Sequence, residues 1–220
     1  MSDILRQTRF DLRCWWRNGE QLLLMLVIPA FALIFTERVC TQLELDIVSY
    51  VDGVMVLSFF ATAFTGQAIL TAFDRRSNAL LVIGAGPLGR TGFIAARMLS
   101  VLVTCLVQIA ALFGVLTIVG SDHPTFLLHS GIALLGIPTF ASMGLLLAGM
   151  LRAELVLGFA NLLFMLAVFF GGAFNPSAWS PIGAIRHLQA GTSGIWAALS
   201  LIAWLAVSAG TAKRTFRWVD

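Results

Sequence analysis

The chain is 220 residues long, 59% hydrophobic and 11% charged, with a net charge of +3. Soluble domains run at about 45–50% apolar and about 25% charged residues, so this composition excludes a water-soluble globular fold and places the chain in a membrane. Apolar stretches take up most of the length and leave no room for a second, soluble domain. The basic residues are scattered among those stretches, which excludes a clustered nucleic-acid-binding surface, so no nucleic-acid partner is expected.

Residues 2–18 read as a helix. At about 100° per residue, Arg6, Arg9, Arg13 and Arg17 share one narrow face, and Ile4, Leu5, Leu12, Trp15 and Trp16 share the adjoining one. Such a helix lies on a membrane, its arginines at anionic headgroups and its aromatic residues in the boundary region. Membrane lipids are therefore expected partners of Arg6, Arg9, Arg13, Trp15, Trp16 and Arg17. Asn18 and Gly19 make a turn into the first apolar run. The segment before that run holds four arginines and three acids with no small-residue cleavage site after it, so the first span is expected to be retained.

A span needs roughly 20 apolar residues. Six candidates lie near 21–36, 53–73, 93–120, 127–150, 155–174 and 195–212. The first is short, bounded by Glu20 on one side and by Glu37 and Arg38 on the other. With the amino terminus placed inside and the spans alternating, inside segments carry Arg6, Arg9, Arg13, Arg17, Arg75, Arg76, Arg90, Arg97, Arg152, Lys213, Arg214 and Arg217, twelve of the fourteen basic residues. Outside segments keep Arg38 and Arg186, and the first of them is acidic, with Glu37, Glu44, Asp46 and Asp52. This asymmetry predicts cytoplasmic termini.

Between the second and third spans lies Gly84-Ala85-Gly86-Pro87-Leu88-Gly89-Arg90-Thr91, which fits G-x-G-x-x-G and nearly fits G-x-x-x-x-G-K-[ST]. A dinucleotide site needs a strand before the loop and an acid about 20 residues beyond it, but that position falls inside an apolar span. A phosphate loop needs a Lys where Arg90 stands and a later Asp to hold Mg²⁺. The chain is thus not expected to hydrolyse ATP or to bind a cofactor. Asp74 to Ile83 instead reads as a short helix, with Ser77 or Asn78 as cap and Gly84 as stop. It would present a compact, partly apolar knob suited to a soluble partner.

Cys14, Cys40 and Cys105 fall in three environments and predict no disulfide. His123, His129 and His187 lack metal-ligand spacing and are expected to be structural or interfacial. Polar residues inside spans are Gln67, Gln108 and Asn161, where an unpaired polar group is costly. Gln108 reads as an interhelical contact of the kind worth about 0.6 kcal/mol. Gly144, Ala148 and Gly149, and again Gly158, predict close helix packing. Arg152 and Glu154 mark a tight second inside turn. The stretch from Gly171 to Leu188, with its glycines and prolines, reads as too broken to continue a helix and forms an outer re-entrant or cap structure within 171–195, with Trp179 and Trp196 as interfacial anchors.

This order of features, running over essentially the whole chain, resembles the permease subunits of type-2 ATP-binding-cassette exporters, of the multidrug and antibiotic export branch. The resemblance rests on the amphipathic amino-terminal helix, six spans, the charged, Leu-rich and Pro-Leu connection at 74–91, and the Gly/Pro-rich outer connection. The chain departs from the commoner pattern at Asp74, Asn78 and Gly89. The resemblance implies an all-α polytopic fold in one domain, 1–220, in a bacterial plasma membrane. It implies a coupling role for Arg75, Arg76, Leu80, Leu81, Pro87 and Leu88, which would dock on a separate ATPase subunit holding ATP and Mg²⁺. It implies a second permease, identical or related, and a pathway lined from the second and fifth spans by Phe59, Phe60, Phe64, Gln67, Phe159, Asn161 and Phe164. An aromatic, weakly polar passage suits export of a hydrophobic or amphipathic small molecule such as a drug or antibiotic. The alternatives are a lipid-linked glycan exporter, or a membrane scaffold without an ATPase.

Overall fold

The computed structural model describes residues 2–120, 123–174, 177 and 179–216. Arg217, and Asn175 and Pro176 of the glycine- and proline-containing stretch from Gly171 to Leu188, lie outside the described residues. Among those described there is no strand, and the fold is all-α. Helix α1 is Ser2–Arg17, and Asn18 opens the next turn, its backbone carbonyl accepting from the Leu22 N–H at 3.0 Å. The first apolar run forms α2, Leu23–Ile34, which bends by 65° into α3, Thr36–Leu43. With the helical turn Gly19–Leu22 that leads into it, sixteen residues at 1.5 Å each span about 24 Å, still short of a hydrocarbon core of about 30 Å, so α2 crosses the membrane fully only if α3 continues it. Among the described residues five helices are long and apolar enough to span, and six if the bent pair counts as one. The bend sits at Phe35, so the helix does not stop at Glu37 as the hydropathy pattern implied.

The remaining long helices are α4 (Ile47–Arg76), α6 (Gly89–Val119), α7 (Phe126–Met150), α8 (Ala153–Phe170) and α10 (Gly194–Thr215). Between them lie two short ones, α5 (Ala79–Ala85) and α9 (Pro181–Gln189). Asp46 starts α4 by accepting the Ser49 N–H at 2.7 Å, a standard cap for orphan donors of the first turn. α4 outruns the apolar window 53–73 at both ends, so Asp52 is in its first turns and Asp74 in its last. Placing Asp52 in an outer acidic connection is thereby corrected. Pro181 begins α9 at a position where its missing N–H costs nothing. The stretch expected to be too broken to continue a helix does interrupt one, since α8 stops at Phe170, and the separate short helix α9 follows within it. Likewise α5 runs on past Gly84 to Ala85, and Asn78 opens it with a left-handed backbone at φ 58° and no side-chain cap bond.

α4 is the axis of the molecule. In its most apolar 18-residue window 83% is buried, against 17% for α8 and for α10, and it packs against α2, α3, α7, α8 and α9. Its middle carries a π-helical turn, Ala61–Gly66, and α2 opens with another, Leu23–Val27. Gln108 of α6 joins the two. Its amide donates to the Met25 carbonyl at 2.7 Å and to Ser58 Oγ at 2.8 Å, and its oxygen accepts from Thr62 at 3.0 Å. This is the interhelical role expected of Gln108.

The expected close packing at Gly144 is present, since a Cβ there would stand 2.6 Å from the Phe64 carbonyl oxygen of α4. A Cβ on Gly158 would meet nothing within 4 Å. Overpacking a close helix contact costs about 1–3 kcal/mol. Gly144→Val is thus expected to lower the thermal midpoint of the purified protein in detergent, whereas Gly158→Val leaves it unchanged; equal midpoints would remove the α4–α7 contact from the account.

Candidate coupling surface and transport region

At one end of the bundle a single guanidinium serves three elements. Arg97 of α6 is almost wholly buried; it pairs with Asp11 of α1 at 3.5 Å, is hydrogen-bonded to Asp74 at the end of α4, and lies over the Phe93 ring at 4.9 Å. Burial pushes the Asp11 carboxyl above the ordinary carboxylate range, while Arg97 and a hydrogen bond from Gln7 at 2.8 Å pull it back. Thr8 adds a bond to the Ala96 carbonyl at 3.3 Å. α1 therefore packs along α6 through its Thr8, Asp11 and Trp15 side. Trp15, expected in the membrane boundary, is buried against Gly66 of α4, where a Cβ would collide with it. A helical projection shows which residues share a face but not whether protein or lipid meets that face. Trp16, Arg6, Arg9, Arg13 and Arg17 are exposed.

The six residues expected to couple divide into holders and presenters. Arg75 is buried and donates to the Ala148 and Leu151 carbonyls at the end of α7, closing a helix terminus that has no partners of its own. Arg76 pairs with Glu154 of α8 at 2.7 Å. Leu80 is fully buried and anchors α5, whereas Leu81 is 42% and Val82 75% exposed, and Pro87 is exposed beside a half-buried Leu88. Between α1 and α5 runs a groove of about 440 Å³ whose lining includes Arg6, Phe10, Val82, Pro87 and Leu88. Sequence reasoning missed Arg97, Asp11 and Asp74 as one unit. The signal available was Arg97 within the apolar run of α6 and Asp11 on the apolar-facing side of an arginine-rich helix.

Of the residues expected to line a pathway, Phe59, Phe60, Phe64 and Gln67 are buried within the protomer. Phe60 stacks on Phe64 at 4.7 Å and on Phe164 at 6.5 Å, and meets Phe140 edge-on at 5.1 Å. Neither polar atom of the Gln67 side chain has a hydrogen-bond partner among the described residues. Phe159 is exposed and Asn161 half-buried, on α8. The structure thus brings Phe60, Phe64 and Phe164 together inside one chain and leaves Phe159 on its surface.

At the opposite end, Asp52 of α4 meets Arg186 of α9 at 3.1 Å and His129 of α7 at 2.7 Å, with His123 at 3.6 Å. None of these four was expected to meet another. Among the described residues no group of acids, histidines and cysteines could hold a metal ion.

A family model described as ABC-2 type transporter matches residues 4–190. The chain belongs to the ABC-2 type transporter family. It is a multi-pass membrane protein and a transmembrane subunit of an ABC transporter, a transport subunit and not itself an enzyme, and membership implies a system with an ATPase partner. No curated protein and no solved structure matches the chain. The match takes in nearly all of α1 and ends one residue past α9, so the groove, Arg97 and the far-end cluster all lie within the ABC-2 region.

Removing one partner of a buried ion pair costs about 3–5 kcal/mol because the other charge is left uncompensated. Arg97→Gln is expected to free α1 from α6, read as faster hydrogen–deuterium exchange over residues 2–17 with little change in α10. Protection of α1 as strong as in the wild type would show that Arg97 does not hold it.

Proposed function

We propose that this ABC-2 subunit is an exporter permease that pairs with a second copy of itself or a relative, docks two separate ATPase subunits at the α1–α5 groove, and moves a hydrophobic or amphipathic small molecule of the drug or antibiotic kind. The observation that carries the docking site is the division of labour in α5: Leu80 is buried and fixes the helix, and Leu81, Val82 and Pro87 stand out beside Phe10. An apolar knob on a rigid base, flanked by Arg6, suits a groove on a soluble partner. In this reading the α1 end is cytoplasmic, in keeping with the basic residues gathered there. ATP and Mg²⁺ belong to the partner.

The pairing with a second permease is supported by α8. Leu155, Phe159, Leu162, Leu166 and Phe169 are all exposed and recur at alternating steps of four and three residues, the repeat that keeps one helical seam facing a partner. Phe159 and the half-buried Asn161 would then stand where two subunits meet, while Phe60, Phe64, Phe164 and Gln67 back that wall from within. An aromatic wall with one amide on α8 favours an apolar cargo over a strongly anionic one.

Purification from native membranes in mild detergent, coupled to mass spectrometry, is expected to recover an ATP-binding-cassette ATPase with the wild type. Leu81→Asp and Val82→Asp each place a charge on the knob and are expected to weaken that recovery by an amount in keeping with about 2 kcal/mol or more for a central interface residue. A Gly158→Val variant on α8 serves as control. Absence of any ATPase from the wild-type preparation would overturn the proposal in favour of a scaffold.

A further inference from the structure

The far end of α4 holds a charge cluster for which the transport reading has no use. Arg186 is buried and saturated: Nε donates to the Ala173 carbonyl at 3.0 Å, one terminal nitrogen donates to Gln189 at 2.8 Å and faces Asp52 at 3.1 Å, and the other donates to the Ser49 carbonyl at 2.8 Å and its hydroxyl at 2.7 Å. Gln189 in turn donates to the His129 carbonyl at 3.0 Å. His129 Nδ1–H donates to Asp52 at 2.7 Å, and His123 Nε2 lies 3.4 Å from the Val48 carbonyl and 3.6 Å from the other Asp52 oxygen. α9 is thereby tied to α4 and α7, directly through Ser49 and the His129 carbonyl and, for the charges, through the one carboxylate of Asp52.

Charge balance makes this tie conditional on protonation. With both imidazoles neutral, Asp52 and Arg186 cancel one for one. Each proton taken up adds a positive charge to a buried site that has no second acid facing it. Among the described residues, the titratable and charged groups facing the cluster are Asp52 from α4, His129 from α7, His123 from the connection before α7, and Arg186 from α9. Asp46 acts on Arg186 from a distance, its carboxylate occupied by the Ser49 N–H, and His187 is turned to Thr192 at 2.9 Å. The two imidazole centroids are 6.1 Å apart. Like charges at that separation, away from water, repel.

We propose that Asp52 is a positioning residue for closure of the far end: through Arg186 it holds α9 against α4 and α7, and protonation of His129 and His123 loosens that hold. The proposal rests on reading α9 as the element that closes the outer end of the pathway. The direction comes from the balance: the closure is tight where both imidazoles are neutral and loosens toward acid.

The test is the accessibility of α9 from outside. Ala184 is fully buried in α9, and Ala184→Cys is made in the full-length chain with Cys14, Cys40 and Cys105 replaced by alanine. Labelling with a membrane-impermeant maleimide is measured between about pH 8 and about pH 5 in membranes. Rates are expressed relative to a His123→Gln, His129→Asn variant, in which Asn keeps a donor near the Nδ1 position but neither residue titrates; this ratio cancels the thiol's own titration. Coupling to one proton shifts an equilibrium by up to about tenfold per pH unit, so the ratio is expected to lie near one at about pH 8 and to rise about tenfold or more toward about pH 5. Asp52→Asn is expected to label faster than the wild type at the upper pH. A ratio that stays at one throughout, or that falls toward acid, overturns the proposal, as does an Asp52→Asn variant that labels as slowly as the wild type. If Asp52→Asn does not accumulate, the histidine ratio alone decides. Neither ATPase nor cargo enters the measurement, so failure of the exporter reading and failure of the latch are separate results.

Discussion

A 30-residue helix buried along its length, with an acid near each end, sets the terms for everything around it. In water, Asp52 and Asp74 would need no partner. Packed inside a bundle in a membrane, each needs a cation delivered by another element. Arg186 answers Asp52 from α9, and Arg97 answers Asp74 from α6 while also holding Asp11 of α1. The two peripheral parts of the molecule, the amphipathic helix at one end and the capping helix at the other, are thus fixed by the same requirement on the same helix. Arg75 adds a third tie, from α4 to the terminal carbonyls of α7.

These ties contribute more to arrangement than to net stability. Taking two charges out of water costs about as much as their attraction returns, but losing one partner afterwards is severe. Only arrangements that satisfy both ends of α4 at once are therefore open to the chain. Gln108 acts in the same way at mid-height. A π-helical turn misaligns the carbonyls of its helix, and the Met25 carbonyl, inside the π turn of α2, takes its partner from α6.

How much of this was legible depends on the information that hydropathy can carry. The all-α fold, the amphipathic helix, the knob between the second and third spans and the close packing at Gly144 are composition and spacing effects, and the structure has them. The charged hubs were not legible, because a hydropathy window pushes charges into the connections. Asp52, Arg97 and Arg186 were therefore counted as topology markers when each is buried inside the helical bundle. The same blindness explains Trp15 and the Phe60–Phe64–Phe164 cluster: an apolar face looks alike whether lipid, a passage or another helix covers it. Pro181 was legible only in part: the stretch does not continue α8, but a proline that breaks a helix in its interior is favoured at the start of one, and α9 begins there.

The unequal finish of the two halves of α4 bears on how the ends communicate. Toward α9, the guanidinium nitrogens of Arg186 are all engaged and both carboxylate oxygens of Asp52 face cations or imidazoles, leaving His123 Nδ1 and Ser130 Oγ as the buried polar atoms there without a partner among the described residues. Toward α1, the side chains of Trp15, Gln21, Thr65, Gln67 and Thr71 each keep a buried polar atom without a partner among the described residues. Such atoms lose little by moving and gain wherever movement supplies a donor, an acceptor or water. Two of them, Trp15 and Gln21, meet at Gly66, where the absence of a side chain lets them reach the backbone of α4. Any displacement of α1 must drag Trp15 across that contact, because Arg97 and Thr8 fasten α1 to α6 a few residues away. The half of α4 nearest the groove is therefore the half least committed to one arrangement, and the half nearest α9 the most.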